Sequence, residues 1–529
     1  MKQIIYLFLL STLWSQQLEF VPFDWAGQFG YVNKNGAFLW NEDWRSNRLL
    51  FDGTWAIYPR LFGPEIEDGF LNQSPDTSNF DSSRVTSYFK YDQGDYLLDR
   101  FSFGTNYNGN GRQVHLHAFK RSYAGPYNQY DNDSHQPLQQ TYTAFYESKK
   151  GKDHAGISVG HFNTYSGLAD STTRGLIDNR ITTGNTFWDR SFGVFNSKIS
   201  IDQFLQRYKS NHSMAAFSGV RYLTRSRIKS VLTWKQSENM NLFSTLEINT
   251  RNTKLDSQNT VRWNRLVIGG DWMGFKVKAG LAENGGETEP EFNFSYRKIF
   301  HSLSGKILVK RDAFPIHVNS FPDSSKNLSL TTSTIGDIRW TGKKSQVSVS
   351  LSTINYQRII LPEFTENEAN TTARFTCQTT LIPFLELAAN YSHQLEKSLI
   401  SDGIKDKLKV GTKTRVQLFD NFMNLDASLS LNGWLNREPA VYMHLTEMVP
   451  VRNDGSGELN ELTKEDTWFI NGSITAYVST FTIKYEWFNI SEMILASMGS
   501  EQDNYFEIHP KLPRLGRQVN LSVEWHFLD

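Results

Sequence analysis

A single cysteine, Cys377, stands in this chain of 529 residues, so no disulfide within the chain can brace it. Neither sign of charge is in surplus: 55 basic side chains face 55 acidic ones, which leaves no net field to recruit nucleic acid. Beyond residue 17 no apolar run approaches the ~18 residues that a spanning helix needs. Helical periodicity is scarce, and no phosphate-binding glycine loop, paired-cysteine ligand set or HExxH motif can be read. Gly156-Ile157-Ser158-Val159-Gly160 fits G-x-S-x-G, but HFNTYSG follows where a nucleophile elbow requires a helix. His115 and His117 share one face of VHLHAF without a third ligand nearby in sequence, and Asp131 and Asp133 read as an exposed acidic loop. The expectation is therefore a non-enzyme with no cofactor and no resident metal.

What the chain does have is alternation. The closing VNLSVEWHFLD sets Val519, Leu521, Val523, Trp525 and Phe527 against Asn520, Ser522, Glu524 and His526. QVSVSLS opposes Val347, Val349 and Leu351 to Gln346, Ser348 and Ser350, and NLDASLSLN, LKVGTKTRVQL and FTIKYEW repeat the pattern. A period of two gives an extended strand one oily face and one wet face. A soluble sandwich with its oily faces on a protein core is the rival reading. These segments, however, reach the ~9–11 residues that a tilted strand needs to cross a bilayer, beyond the ~5–6 usual in soluble sheets. Tight turns such as Ser479-Thr480 and Asp420-Asn421 alternate with the long polar stretches 437–465 and 491–516, the asymmetry of periplasmic turns and outer loops. Residues 1–17, with Lys2 ahead of the apolar run from Ile4 to Leu10, read as a secretory signal peptide cleaved near Ser15 or Gln16.

The pattern predicts an all-β chain: a closed antiparallel transmembrane β-barrel over 84–529, with about 22 strands in a range of about 18 to 24. The first strands fall at 84–92, 96–107 and 112–122, and the last at 466–478, 481–490 and 517–528. Segments 213–224 and 228–236 read as two strands, and 165–196 as a connection. Closing 517–528 onto the first strand removes both sheet edges, so closure does the bracing that disulfides do elsewhere. About 22 strands spaced ~4.8 Å apart and tilted by ~40° enclose a ring on the order of 40 Å across, which side chains alone cannot fill. Residues 18–83, holding EFVPFDW, FLWNEDW and IYPRLFGPEIEDGF, are accordingly expected to form a reduced plug or a periplasmic collar.

Selectivity is sought on the wet faces. With Val261, Trp263, Phe275, Val277, Phe292, Phe294, Ile307 and Val309 toward lipid, the lumen receives Arg262, Lys276, Lys278, Arg297, Lys306 and Lys310, with no carboxylate opposing them. Lys409, Lys413 and Arg415 extend this basic wall, and patches of one sign favour solutes of the other.

The signal peptide, the alternating segments, the strand count and the aromatic end VEWHF resemble the barrels of TonB-dependent receptors and the large porins of Bacteroidetes-type bacteria. The resemblance covers 84–529 and departs in two places: Leu528 and Asp529 follow the last aromatic, and 18–83 is too short for a full plug domain. It implies an outer-membrane channel or transporter for small solutes passing a polar lumen in a Gram-negative-type cell; the basic wall points to anionic solutes, and the many aromatics leave oligosaccharides open. Two alternatives stay open: energised uptake with a separate plug or periplasmic partner, and a scaffold within an export or surface-assembly complex. Outer-membrane lipid and the barrel-assembly machinery are the partners this implies.

Overall fold

In the computed structural model the alternating segments close into one antiparallel barrel of 22 strands. The structure describes residues 18–27, 30–34, 37–38, 66–67 and 70–71, and then 84–528 except 129, 131–136, 170–173, 211–218, 238–239, 255–257, 316–327, 358–366, 397, 399, 421, 439–440, 444–449, 453–464, 499–508, 510–511 and 513–514. The expected signal peptide, Asp131 and Asp133 lie outside these residues.

The seam joins the last strand, Gln518–Leu528, to the first, Arg84–Gly94, with Asn520 opposite Gly94 and Leu528 opposite Thr86. Every barrel strand thus has a partner on both sides, and no row of backbone N–H and C=O groups is left for hydrocarbon to strand. At one rim the strands are joined by turns of two to four residues; at the other the connections run to 29 residues, as at 489–517. Met273-Gly274 shows how the tight rim is made. Both residues take positive φ, 46° and 88°, the handedness that matches the twist of the flanking strands Gln258–Trp272 and Phe275–Asn284. Both chain ends of the barrel lie at this short-turn rim.

The outer surface is oily. Leu266, Ile268, Ile338, Val349, Leu351 and Ile483 are exposed on it, and Phe192, Phe195, Trp234, Trp272, Phe300, Trp340, Phe419, Phe422 and Trp525 crowd the short-turn rim. Apolar side chains facing outward with an aromatic girdle below them suit a bilayer some 25 Å thick in its core.

The strand total agrees with the sequence expectation, but two assignments behind it do not. The described part of 213–224, from Gly219 on, and 228–236 belong to a single strand, Gly219–Ser237, and the supposed connection 165–196 contains the strand Arg174–Phe192. Both strands have 19 residues and form the tallest part of the wall. Their upper halves rise beyond the oily band, where the outward face can carry Arg180, Thr182 and Thr224, as the strand between them, Phe195–Ser210, carries Arg207, so the two-residue hydrophobic signal fades there. The Thr-Arg-Ser-Arg run at 224–227 imitates a turn, yet Arg225 and Arg227 are buried on the lumen side.

Candidate functional site

The lumen is the enclosed polar space that such a ring makes, and its two halves differ. Toward the loop rim its side chains are buried: Tyr356, Asn370, Phe469 and the arginines Arg221, Arg225 and Arg251 are nearly solvent-free. Toward the short-turn rim they are open, with the side chains of Lys276 and Arg415 exposed by 63% and 62%.

Most of the anticipated basic residues face this open half. Lys276 and Lys278 stand on Phe275–Asn284, Arg297 on Glu287–Phe300, and Lys306 and Lys310 on Leu303–Pro315. Arg297 is directly opposite Lys306, and Lys306 is opposite Asp337. Lys409, Lys413 and Arg415 share the lumen side of Ile404–Leu418, where Arg415 grips Asp426 through Nε at 2.7 Å and Nη2 at 2.8 Å, and Lys413 Nζ reaches the same carboxylate at 3.1 Å.

Arg262 is the exception. It shares its side of the strand with exposed Leu266 and Ile268, while Val261 and Trp263 turn inward with Arg265 and are buried. Near the loop rim the lumen is packed and the outside is free to be polar, so the alternation reads inverted. The expectation that no carboxylate opposes the basic wall is also corrected. Asp271 lies 3.8 Å from Lys276, Asp312 lies 2.6 Å from Lys310, and Glu289, Glu291 and Asp337 share the same inner surface. His115 and His117 are buried on the lumen side, His117 Nδ1 lying 2.5 Å from the Tyr88 hydroxyl, and among the described residues no group of three candidate ligands could hold a metal ion.

At the loop-side mouth the structure brings together residues that no sequence pattern had linked. The hairpin formed by Leu18–Pro22 and Gly30–Lys34 sits inside the ring there. Arg121, on the lumen face of Arg112–Ser122, donates from Nη1 to the Ala26 carbonyl at 2.5 Å and from Nη2 to that of Gly27 at 2.9 Å, and it also binds the Gln139 side chain. The Tyr130 hydroxyl donates to Asp24 at 2.8 Å, Trp25 Nε1 to the Gly516 carbonyl at 2.8 Å, and Asn33 to Asp402 at 2.6 Å. Trp25 also packs on Phe469 and stacks on Phe488. Tyr123, just beyond its strand, donates to Gln518 at 3.0 Å; burial, aided by the negative charge of Asp24, pushes its hydroxyl well above the ordinary tyrosine range. These partners lie along one arc of the loop rim, from the 395–403 connection round to the 123–137 connection, so the hairpin lines that side of the mouth.

No family model matches the chain, and no curated protein matches it in sequence. Solved structures do match it in shape. The FrpB iron transporter from Neisseria meningitidis (F3-3 variant) superposes with a TM-score of 0.66 at 9% identity, over 97% of this chain and 95% of that one. The barrel is similar to that of TonB-dependent receptors. The siderophore receptor PirA from Acinetobacter baumannii gives 0.66 at 9% identity over 96% and 94% of the two chains, and FpvA from P. aeruginosa bound to pyoverdines gives 0.62 at 9% over 96% and 82%. At such identity the likeness to TonB-dependent receptors is one of fold.

Proposed function

We propose that the chain is an outer-membrane barrel for gated uptake of small anionic solutes, in which residues 18–83 serve as a reduced plug. The observation that carries this reading is the anchoring of Asp24, Trp25, Ala26 and Gly27 to the inner wall and loops. A ring on the order of 40 Å across with a vacant lumen would leak broadly; a segment held inside one side of the mouth by a buried arginine, an aromatic stack and several hydrogen bonds narrows it. This favours the receptor-like alternative over free porin-like diffusion, and a plug over a periplasmic collar. The neighbours named as an iron transporter and siderophore receptors support uptake as the class of activity, and the open basic half of the lumen supports anions as cargo. Long connections outside and short turns in the periplasm set the direction of entry.

Planar-bilayer recording tests this. The full chain is expected to be nearly silent, and a variant lacking residues 18–38 to carry steady current with a preference for anions. A large steady current from the full chain would return the reading to an open porin, and a silent deletion variant with a folded barrel would remove the hairpin from any gating role.

A further inference from the structure

Midway along the lumen wall lies a recess of about 220 Å³. Lys229, Lys278 and Lys310 line it from three strands, with the rings of Phe243 and Phe314 beside them. Five cations border it against three carboxylates, and the carboxylates are already committed. Arg265 reaches Glu247 and Glu291 at 3.1 Å each and Asp312 at 4.0 Å, and its guanidinium lies over Phe314. Lys310 pairs with Asp312 at 2.6 Å, and Lys229 reaches Glu247 at 3.6 Å. Arg265 therefore acts as the structural cation that gathers the negative charge, with Lys310 sharing Asp312 and Lys229 sharing Glu247.

Lys278 differs from its neighbours. It makes no ion pair among the described residues; its ammonium lies 5.2 Å from the centre of the Phe243 ring, and the charges acting on it are those of Lys310, Lys229 and Lys276, opposed by Asp271 alone. Like charges gathered round one recess repel each other, and a bound anion relieves that repulsion. Lysine presents a point charge with rotatable donors and makes no demand for a planar fork, so phosphate-type groups fit as well as carboxylates. The recess is smaller than the ~300 Å³ at which drug-sized pockets begin, so its ligand is compact.

We infer that Lys229, Lys278 and Lys310 form a binding site for a compact phosphate-bearing polyanion, held on its way through the lumen. The inference rests on the anion-uptake reading and deepens it by naming where the solute is bound and by what chemistry.

Calorimetric titration of the detergent-solubilised full chain with inorganic pyrophosphate tests it, with succinate as the carboxylate counterpart. Pyrophosphate is expected to bind, to bind more weakly as ionic strength rises, and to lose affinity on the order of ten-fold in Lys278→Gln and in Lys310→Gln. Lys120→Gln, on the outer face, is expected to bind as the parent does. Heat-modifiable migration on gels confirms that each variant is folded, and Lys278→Met serves if the glutamine variant is not. Succinate binding more tightly than pyrophosphate would replace phosphate by carboxylate as the ligand class. Unchanged affinity in folded Lys278 variants, equal loss in Lys120→Gln, or no binding at all would overturn the site. Pyrophosphate entry into proteoliposomes carrying the variant that lacks residues 18–38 is scored separately: binding without entry sinks the uptake reading and leaves the site standing, whereas entry without binding does the reverse.

Discussion

Asp426 illustrates what single residues do in this lumen. One carboxylate holds both Arg415 and Lys413, and the two cations are about half exposed, so water screens the interaction and its stabilising effect is at most about 1 kcal/mol. Its effect on passing ions is larger than its effect on folding. Asp426→Asn in the barrel opened by deletion of 18–38 is expected to shift the reversal potential toward anions while leaving the heat-modifiable fraction unchanged; an unshifted potential would mean that this stretch of wall does not meet the permeating solute. Residues of this kind were legible. Lys409, Lys413 and Arg415 alternate with Val410, Val416 and Leu418, and the lower half of their strand faces lipid outside and water inside. Arg121, Asp24 and Trp25 were not legible as a set, because no local pattern announces that residues almost a hundred positions apart meet at a mouth. The only hint was the aromatic and acidic crowding in EFVPFDW.

Among the elements, the strand Ser345–Gln357 separates lipid from lumen one residue at a time. Val349 is exposed on the outside and lies opposite Ile338 and Phe375, whereas Ser350 lies inside opposite Asp337 and Arg374. Val349→Arg is expected to cost roughly 2–4 kcal/mol near the bilayer midplane, and Ser350→Arg far less. Denaturant unfolding in lipid vesicles measures both, and equal costs would deny the two faces their different solvents. The strands that sequence misjudged are those least governed by lipid. In Arg174–Phe192 and Gly219–Ser237 the upper residues meet water outside and packed lumen inside, so polarity no longer reports facing. Arg262, on the upper part of its own strand, was misplaced for the same reason.

For the whole molecule, closure and occlusion are two answers to one problem. A sheet in hydrocarbon must leave no edge, and with a single cysteine the chain relies on the ladder between Arg84–Gly94 and Gln518–Leu528 to meet that demand. A ring of 22 strands is then too wide to be filled by its own side chains, and the N-terminal hairpin with its wall contacts takes up part of the space. The slanted loop rim follows from the uneven wall, which stands 19 residues tall at Arg174–Phe192 and only eight at Phe481–Phe488. Strand number and closure could be read from alternation and turn spacing; the hairpin's position could not, since it depends on contacts that form only after the ring exists. Beneath all of this lies one claim, that the oily faces were built for acyl chains. Its most direct test is a scan of single cysteines along 345–357, in a Cys377→Ser background, with a membrane-impermeant maleimide in solution and a lipid-soluble quencher in the bilayer. A period of two is predicted, with Val347, Val349 and Leu351 positions quenched from lipid and unreactive in water, and Gln346, Ser348 and Ser350 positions the reverse. Uniform reactivity, or quenching on the serine side, would contradict it.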